Sequence, residues 1–369
     1  MRHPVVLEIS SAMHIGGGEV HFLNLVAGLS RDRFSVSAVV RPKSALIPKL
    51  KECSIPVYTL PLRNSLDLVS AYTLRRLSNR LGANIIHAHV GRDYLIAALA
   101  CAKRCRLVVT RHLLLPMRRS PLHRVCFRKV DRFIAVSQSV KEALIRHEGI
   151  DPARVVVIPN GVSVGHLFPP ASIGELRERL GIPPGVKVVG IVGQVSPHKG
   201  HEDFVEAAAR LSTRHPGIIF LVVGEESGNG SFVRKLRSQI IQKGLEKRFF
   251  FTGFLEDVSS AMGLMDVLAV PSWEEPFGLV ILEAMVAGVP VVATDVGGPG
   301  EILENGISGI LVSPRAPGEL AEAIVSILAR PDLCAKLSQN GRVRVEKHYN
   351  IDLQVRRTAD VFNKLGALQ

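Results

Sequence analysis

Two carboxylates stand with seven residues between them in Glu275-Pro276-Phe277-Gly278-Leu279-Val280-Ile281-Leu282-Glu283. Proline suits the first turn of a helix, where its missing N–H costs nothing. The spacing therefore predicts a helix opening at Pro276, with Glu275 at its mouth and Glu283 about two turns inside. At ~1.5 Å per residue the two carboxylates would lie ~12 Å apart along one side of the axis. That span matches a long ligand with hydroxyls at both ends, such as a nucleotide-sugar: Glu275 near a hexose, Glu283 near a ribose. A carboxylate without a partner is costly among Val280, Ile281, Leu282, Ala284, Met285 and Val286, which argues for a ligand. The competing reading is a helix N-terminal acid followed by a salt-bridged core glutamate.

Three other stretches could touch an anionic ligand. Gly16-Gly17-Gly18-Glu19 follows a strand pattern and opens a helix pattern. Glycines there let backbone N–H groups approach an anion, although a tight strand-to-helix turn explains them equally well. Neither a Walker loop nor G-x-G-x-x-G is present. Gly193-Gln194-Val195-Ser196-Pro197-His198-Lys199-Gly200 puts Lys199 at a helix start, where the helix dipole disfavours a cation. A bound diphosphate would account for it; a solvated lysine is the plainer reading. Asp295-Val296-Gly297-Gly298-Pro299-Gly300-Glu301 offers backbone amides after the strand that follows the two-glutamate helix, or is a plain turn. His87-Ala88-His89 ends one strand pattern and His112 follows another. With no Asp-x-Asp and no His-x-x-x-His helix beside them, no metal site is expected. A histidine can serve sugar hydroxyls without a metal, and His87 reads equally as a satisfied structural residue.

Strand and helix patterns alternate along the whole chain. Apolar runs at Val5–Ile9, Ser35–Val40, Asn84–His87, Leu107–Thr110, Phe133–Val136 and Arg154–Ile158 flank helical patterns such as Glu19–Leu29, Leu66–Leu81, Asp93–Lys103 and Ser137–His147. This is the pattern of a doubly wound parallel sheet covered on both faces. It breaks at Pro159-Asn160-Gly161 and at Pro169-Pro170, a plausible linker, and then restarts at Val186–Val192. The expectation is α/β with two facing Rossmann-like domains. Residues 1–165 form an N-terminal acceptor-binding domain and 166–348 a nucleotide-sugar-binding domain, while 349–369 form a C-terminal helix crossing back to the first. Ligands of such sheets sit at the carboxyl ends of strands.

Composition sets the bounds. The length of 369 residues suits about two domains, and 47% hydrophobic residues excludes disorder. No targeting leader and no membrane span are expected, since a strand pattern begins at Val5 and no apolar run nears ~18 residues. Five cysteines without metal-ligand spacing suit a reducing compartment. The net charge of +13 divides into +15 on residues 1–165 and −2 on the rest. Its densest part is Arg111 to Arg132, with Arg118, Arg119, Arg124, Arg128 and Lys129 among leucines. An anionic membrane or acceptor fits such a surface. Nucleic acid is not expected, with aromatics at 5% and no nucleic-acid motif.

These motifs together resemble the retaining glycosyltransferases of GT-B fold, glycosyl transferases group 1 and glycosyltransferase family 4. The likeness rests on the glycine loop, Ile85-Ile86-His87-Ala88-His89, Val157-Ile158-Pro159-Asn160-Gly161-Val162, Lys199-Gly200, Phe251-Thr252-Gly253-Phe254, Glu275 through Glu283, and Gly297-Gly298 with Glu301. It implies three catalytic residues: Lys199 at the diphosphate leaving group, Glu275 at the transferred sugar, and His112 near the reacting carbon. It further implies nucleotide-sugar binding by Gly17, Gly18, Phe277, Gly278 and Gly298, by Glu283 at the ribose, and by Phe254 and Leu255 near the base. Gln194 stands where the family usually has arginine, and Ser163 where an acid is common. The implied reaction moves a hexose-type sugar from a nucleoside-diphosphate sugar to a glycan or lipid-linked acceptor with retention. UDP-sugar is the first choice of donor and GDP-sugar the second. No cofactor or metal is expected, and the place is the cytoplasm or the inner face of a membrane, in cell-envelope glycan synthesis. A sugar-nucleotide epimerase and a non-catalytic nucleotide-sugar or anionic-lipid binding protein are the alternatives.

Overall fold

The structure, a computed structural model, describes residues 3–31, 34–102, 104–116, 121–164, 170–226, 229–255 and 257–366. The chain divides into two compact units, Met1–Gly161 with Asn350–Gln369, and Val162–Tyr349. Part of the expected linker, residues 165–169, lies outside the described residues.

The first unit holds a seven-stranded sheet: β1 (Val5–Ser10), β2 (Ser35–Val40), β3 (Val57–Thr59), β4 (Ile85–Ala88), β5 (Arg106–Arg111), β6 (Arg132–Ala135) and β7 (Val155–Val157). Its order is β3-β2-β1-β4-β5-β6-β7, and every pair is parallel. Helices cover both faces, so the strands read as continuous apolar runs rather than alternating ones. The helix Gly17–Arg31 lays Phe22, Leu25, Val26 and Leu29 into the core. Beside it packs the helix Ile351–Gly366, which adds Val355, Ala359, Phe362 and Leu365 to that core. The approach is close. A Cβ added at Gly28 would stand 2.3 Å from a Val355 methyl, so glycine is needed there for contact. This helix thus returns to the core of the first unit, as the surplus helical pattern at 349–369 leads one to expect.

The second unit holds β8 (Lys187–Val192), β9 (Ile218–Val223), β10 (Phe249–Gly253), β11 (Val267–Val270), β12 (Val291–Thr294) and β13 (Ile310–Val312). Their order is β10-β9-β8-β11-β12-β13, again all parallel. Strand order reverses between β1 and β4 in one sheet and between β8 and β11 in the other. Crevices at such reversals are where doubly wound sheets hold ligands.

One expected element starts elsewhere. The helix predicted from Pro276 begins at Leu279 and ends at Ala287, with Gly278 ahead of it at φ 102°. That left-handed backbone breaks the helical path, and glycine tolerates it without a Cβ penalty. Glu275 therefore belongs to the loop after β11, and Glu283 lies little more than one turn inside the helix.

Candidate functional site

Both loops that flank the reversal in the second sheet carry the charged residues singled out by sequence. After β8 the chain runs through Gly193 to a 3₁₀ turn, Pro197–Lys199, before the helix His201–Arg214. After β11 it runs through Ser272 to Gly278. Lys199 Nζ donates to Glu275 Oε2 at 2.6 Å, and Ser272 Oγ donates to the same oxygen at 3.0 Å. Glu275 is buried while Lys199 is partly exposed.

Backbone contacts fix this pair. Trp273 N donates to His198 O at 2.8 Å, which ties the two loops together. Trp273 Nε1 donates to Asp203 at 2.6 Å, and Thr294 Oγ1 to Ser272 O at 2.6 Å. From the turn after β12, Gly298 N donates to Glu275 O at 2.9 Å. A Cβ on Gly298 would lie 2.1 Å from Phe277 O, so only glycine lets that turn sit against the glutamate loop. Gly298, Phe277, Gly278 and Glu275 are thereby one woven piece of backbone.

Glu283, in the next helix, is half-buried. Burial pushes its carboxyl up to about 7, and the Asp257 carboxylate adds to the rise. Past the end of β10, Phe254 presents its ring to solvent with 54% of its surface exposed, and Leu255 follows it half-buried. Such a ring can stack on a planar base.

The first unit brings together residues that the sequence scatters. Glu8 in β1 is in register with His87 in β4. Its carboxylate bonds His87 Nδ1 and His89 Nε2, the latter at 2.6 Å, and His87 Nε2 bonds Thr110 Oγ1 at 2.7 Å. Burial alone would raise the Glu8 pKa, but the two histidines bring it down to about 2. His87 is thus a satisfied core residue. His112 packs beside Gly18, whose added Cβ would stand 4.0 Å from His112 Cγ. Its ring meets His21 edge-on at 4.7 Å between centroids. Burial, then the neighbouring histidines, hold His21 and His112 well below the usual histidine range and His89 at about 4. All three are neutral at pH 7.

Donor atoms of His21, His89 and His112 lie within 4.8 Å of one another, as do those of Glu8, His87 and His89. Hydrogen bonds assign the tautomers. Gly161 N donates to Gln354 Oε1 at 2.5 Å, so Gln354 Nε2 donates to His21 Nδ1 at 3.0 Å. His21 then carries its proton on Nε2, and a protonated nitrogen cannot ligate a cation. His89 gives its Nε2 proton to Glu8, leaving Nδ1 as an acceptor. The arrangement suits hydroxyl binding better than ligation.

Sequence reasoning missed Glu8, His21, Asp93, Ser272 and Gln354. Asp93 accepts from Ser11 N at 2.8 Å, and burial pushes its carboxyl up to about 7. A carboxylate inside an apolar strand, as in Val5-Val6-Leu7-Glu8-Ile9, was the available signal for Glu8.

Two all-parallel Rossmann-like units, with basic and acidic loops at the reversal of the second sheet, define a GT-B type of glycosyltransferase architecture. Residues 172–344 match the glycosyl transferases group 1, and residues 15–166 match glycosyltransferase family 4. Among solved structures it is similar to HepE of Anabaena, crystallised with UDP-glucose. That likeness has a TM-score of 0.85 and 28% identity over 98% of this chain and 100% of that one. It is also similar in fold to sucrose-phosphate synthase from Thermosynechococcus elongatus, with a TM-score of 0.79, 22% identity, and coverage of 99% of this chain and 100% of that one. Among curated relatives, D-inositol 3-phosphate glycosyltransferase of Geodermatophilus obscurus is 36% identical over 56% of this chain and 47% of that protein. The same enzyme of Segniliparus rotundus is 33% identical over 57% and 47%. The chain spans about half the length of these curated relatives.

Proposed function

We propose that this protein is a retaining glycosyltransferase that moves a hexose-type sugar from a nucleoside-diphosphate sugar to a glycan or lipid-linked acceptor. The observation that carries the reading is the Lys199–Glu275 pair at the strand-order reversal of the second sheet, with Glu283 in the helix that follows. HepE, with UDP-glucose bound, supports a UDP-sugar donor.

Each group then has a chemical task. Lys199 stabilises charge on the departing diphosphate, and the helix N-terminus at Gly17 and Gly18 is a second anion-facing element. Glu275, Phe277, Gly278 and Gly298 form the cradle for the sugar. Glu283 takes the ribose hydroxyls, and Phe254 with Leu255 takes the base. His112, neutral, serves a sugar hydroxyl. Glu275 Oε2 is already held by Lys199 and Ser272, which makes it a poor nucleophile. Retention then proceeds by front-face displacement, in which the leaving phosphate accepts the acceptor's proton. Lysine and amide dipoles supply the charge stabilisation, so the reading needs no metal.

The test is incubation of the protein with UDP-, GDP- and ADP-sugars plus glycan and lipid-linked acceptors, with the product anomer read by NMR. Transfer with retained configuration is expected. Interconversion of the donor sugar alone would make the protein an epimerase, and binding without turnover would make it a non-catalytic nucleotide-sugar binder.

A further inference from the structure

Solvent-facing apolar side chains gather on one element outside the candidate site. Leu66 is 58% exposed, Leu68 66%, Val69 67% and Tyr72 64%. They occupy the turn before the helix Leu68–Leu81 and its first turns. Large apolar side chains exposed together, rather than singly, mark an interaction surface. The same helix carries exposed Arg75, Arg76 and Arg80, with Arg63 just ahead of it. Residues 68, 72, 75 and 76 fall on one stripe at helical spacing. Arg76 lies over the Tyr72 ring at 6.0 Å, and Arg80 over the Tyr58 ring at 5.8 Å.

This stretch of the chain is short of acid. Between residues 54 and 92 the only acidic residue is Asp67. It is buried and turned inward, accepting from Ser70 N, Ser70 Oγ and Arg63 N at 3.0, 2.8 and 3.0 Å. The opposite stripe, Ser70, Ala71, Leu74, Leu77 and Ser78, is buried in the first unit. The helix is therefore amphipathic in an unusual sense: one face is core, the other is apolar at its start and cationic at its end.

We propose that this face, Leu66 to Arg80, docks on an anionic lipid bilayer, with Leu66, Leu68, Val69 and Tyr72 entering the headgroup boundary and the arginines meeting lipid phosphates. The charge decides the occupant. A symmetric contact with a second copy would set arginine against arginine. A nucleic acid would engage the arginines but leave three aliphatic side chains without a partner. An anionic bilayer satisfies both halves. The densest basic sequence, Arg111 to Arg132, is not needed for this, and its Arg118, Arg119 and Arg124 side chains lie outside the described residues. The surface would serve the lipid-linked arm of the proposed acceptor class, yet its test uses no donor, so it fails or stands independently of the reaction.

Full-length protein is floated with vesicles of phosphatidylcholine alone, or of equal parts phosphatidylcholine and phosphatidylglycerol, at low and physiological salt. Wild type is expected to float with the anionic vesicles and not with the neutral ones. The triple variant Arg75→Gln, Arg76→Gln, Arg80→Gln should lose on the order of 100-fold in partition at low salt. The triple variant Leu68→Ser, Val69→Ser, Tyr72→Ser should lose on the order of 10-fold or more at both salt concentrations. Both should unfold at the wild-type temperature, since the changed side chains face solvent. Equal flotation of wild type and variants, equal binding to neutral vesicles, or no binding at all would overturn the proposal. So would a dimer in light scattering that the serine variant abolishes, because that assigns the face to a second copy.

Discussion

Lys199 and Glu275 are bonded to each other, so a diphosphate that draws Lys199 away leaves Glu275 Oε2 with Ser272 alone and room for a second donor. A sugar hydroxyl supplies one, and the two events are coupled through a single oxygen. Lys199→Ala should lower transfer by on the order of 100- to 1,000-fold. It should also cost about 1–3 kcal/mol of stability, because a buried carboxylate loses its charged donor. Adding Glu275→Gln should recover most of that stability in urea titrations without recovering transfer. Wild-type turnover by Lys199→Ala would remove the lysine from the mechanism. Glu283 gives a pH signature. Its carboxyl titrates at about 7 in the folded chain against 4.5 as the ordinary value. Below both values it is neutral in either state and costs nothing. Between 4.5 and about 7 the unfolded chain ionises while burial keeps the folded carboxyl protonated, so stability falls across that window and the loss is complete once pH passes about 7. Glu283→Gln should therefore raise stability above pH 7 by up to about 3 kcal/mol, read as a higher melting temperature, and change little near pH 4. Donor affinity should fall at the same time; a melting gain that is equal at both pH values would contradict this origin. The histidine cluster makes a third expectation. With the His21 proton fixed on Nε2 by Gln354, chelation should leave turnover unchanged, and a metal-reversible loss in EDTA would show a ligand role. Glu275, Glu283 and Lys199 were legible as sequence because charge stood where apolar pattern or dipole disfavours it. The Gln354–His21 bond was not, since its partners are 333 residues apart and neither stands out locally.

At the scale of elements, the loop crossings decide the site. Gly298→Ala would drive a Cβ into the Phe277 carbonyl, so it should destabilise by more than about 2 kcal/mol and abolish donor binding. Gly217→Ala, with open space around its Cβ, is the matched control and should unfold at the wild-type temperature. Calorimetry and nucleotide titration check both; near-wild-type behaviour of Gly298→Ala would mean the turn yields without cost. Strands and long helices were readable because buried parallel strands make apolar runs and covering helices keep a 3.6-residue period. Short elements escaped. The helix Leu46–Glu52 and the strand Val57–Thr59 are too brief to establish a period. The helix at Leu279 was placed too early because Pro276 looks like a first helical residue, whereas the backbone of Gly278 resets the path two residues later.

At the scale of the molecule, the first unit is discontinuous and the second is not. The helix Ile351–Gly366 supplies Phe362, which meets Phe34 at 5.9 Å and His87 at 5.4 Å between ring centroids. Ending the chain at residue 349 should therefore leave the first unit without part of its core. The truncated protein should lose one cooperative melting transition or aggregate, while a fragment of residues 162–349 should fold. Two intact transitions in the truncated protein would show that the helix is dispensable. The same feature sets an order of events during synthesis. Residues 162–349 emerge as an uninterrupted stretch and can fold as soon as they are free. Residues 1–161 are made earlier, yet the core that Val355, Ala359, Phe362 and Leu365 complete stays uncovered until residues 351–366 arrive. Of the two units, the one with the earlier residues is the later to be completed.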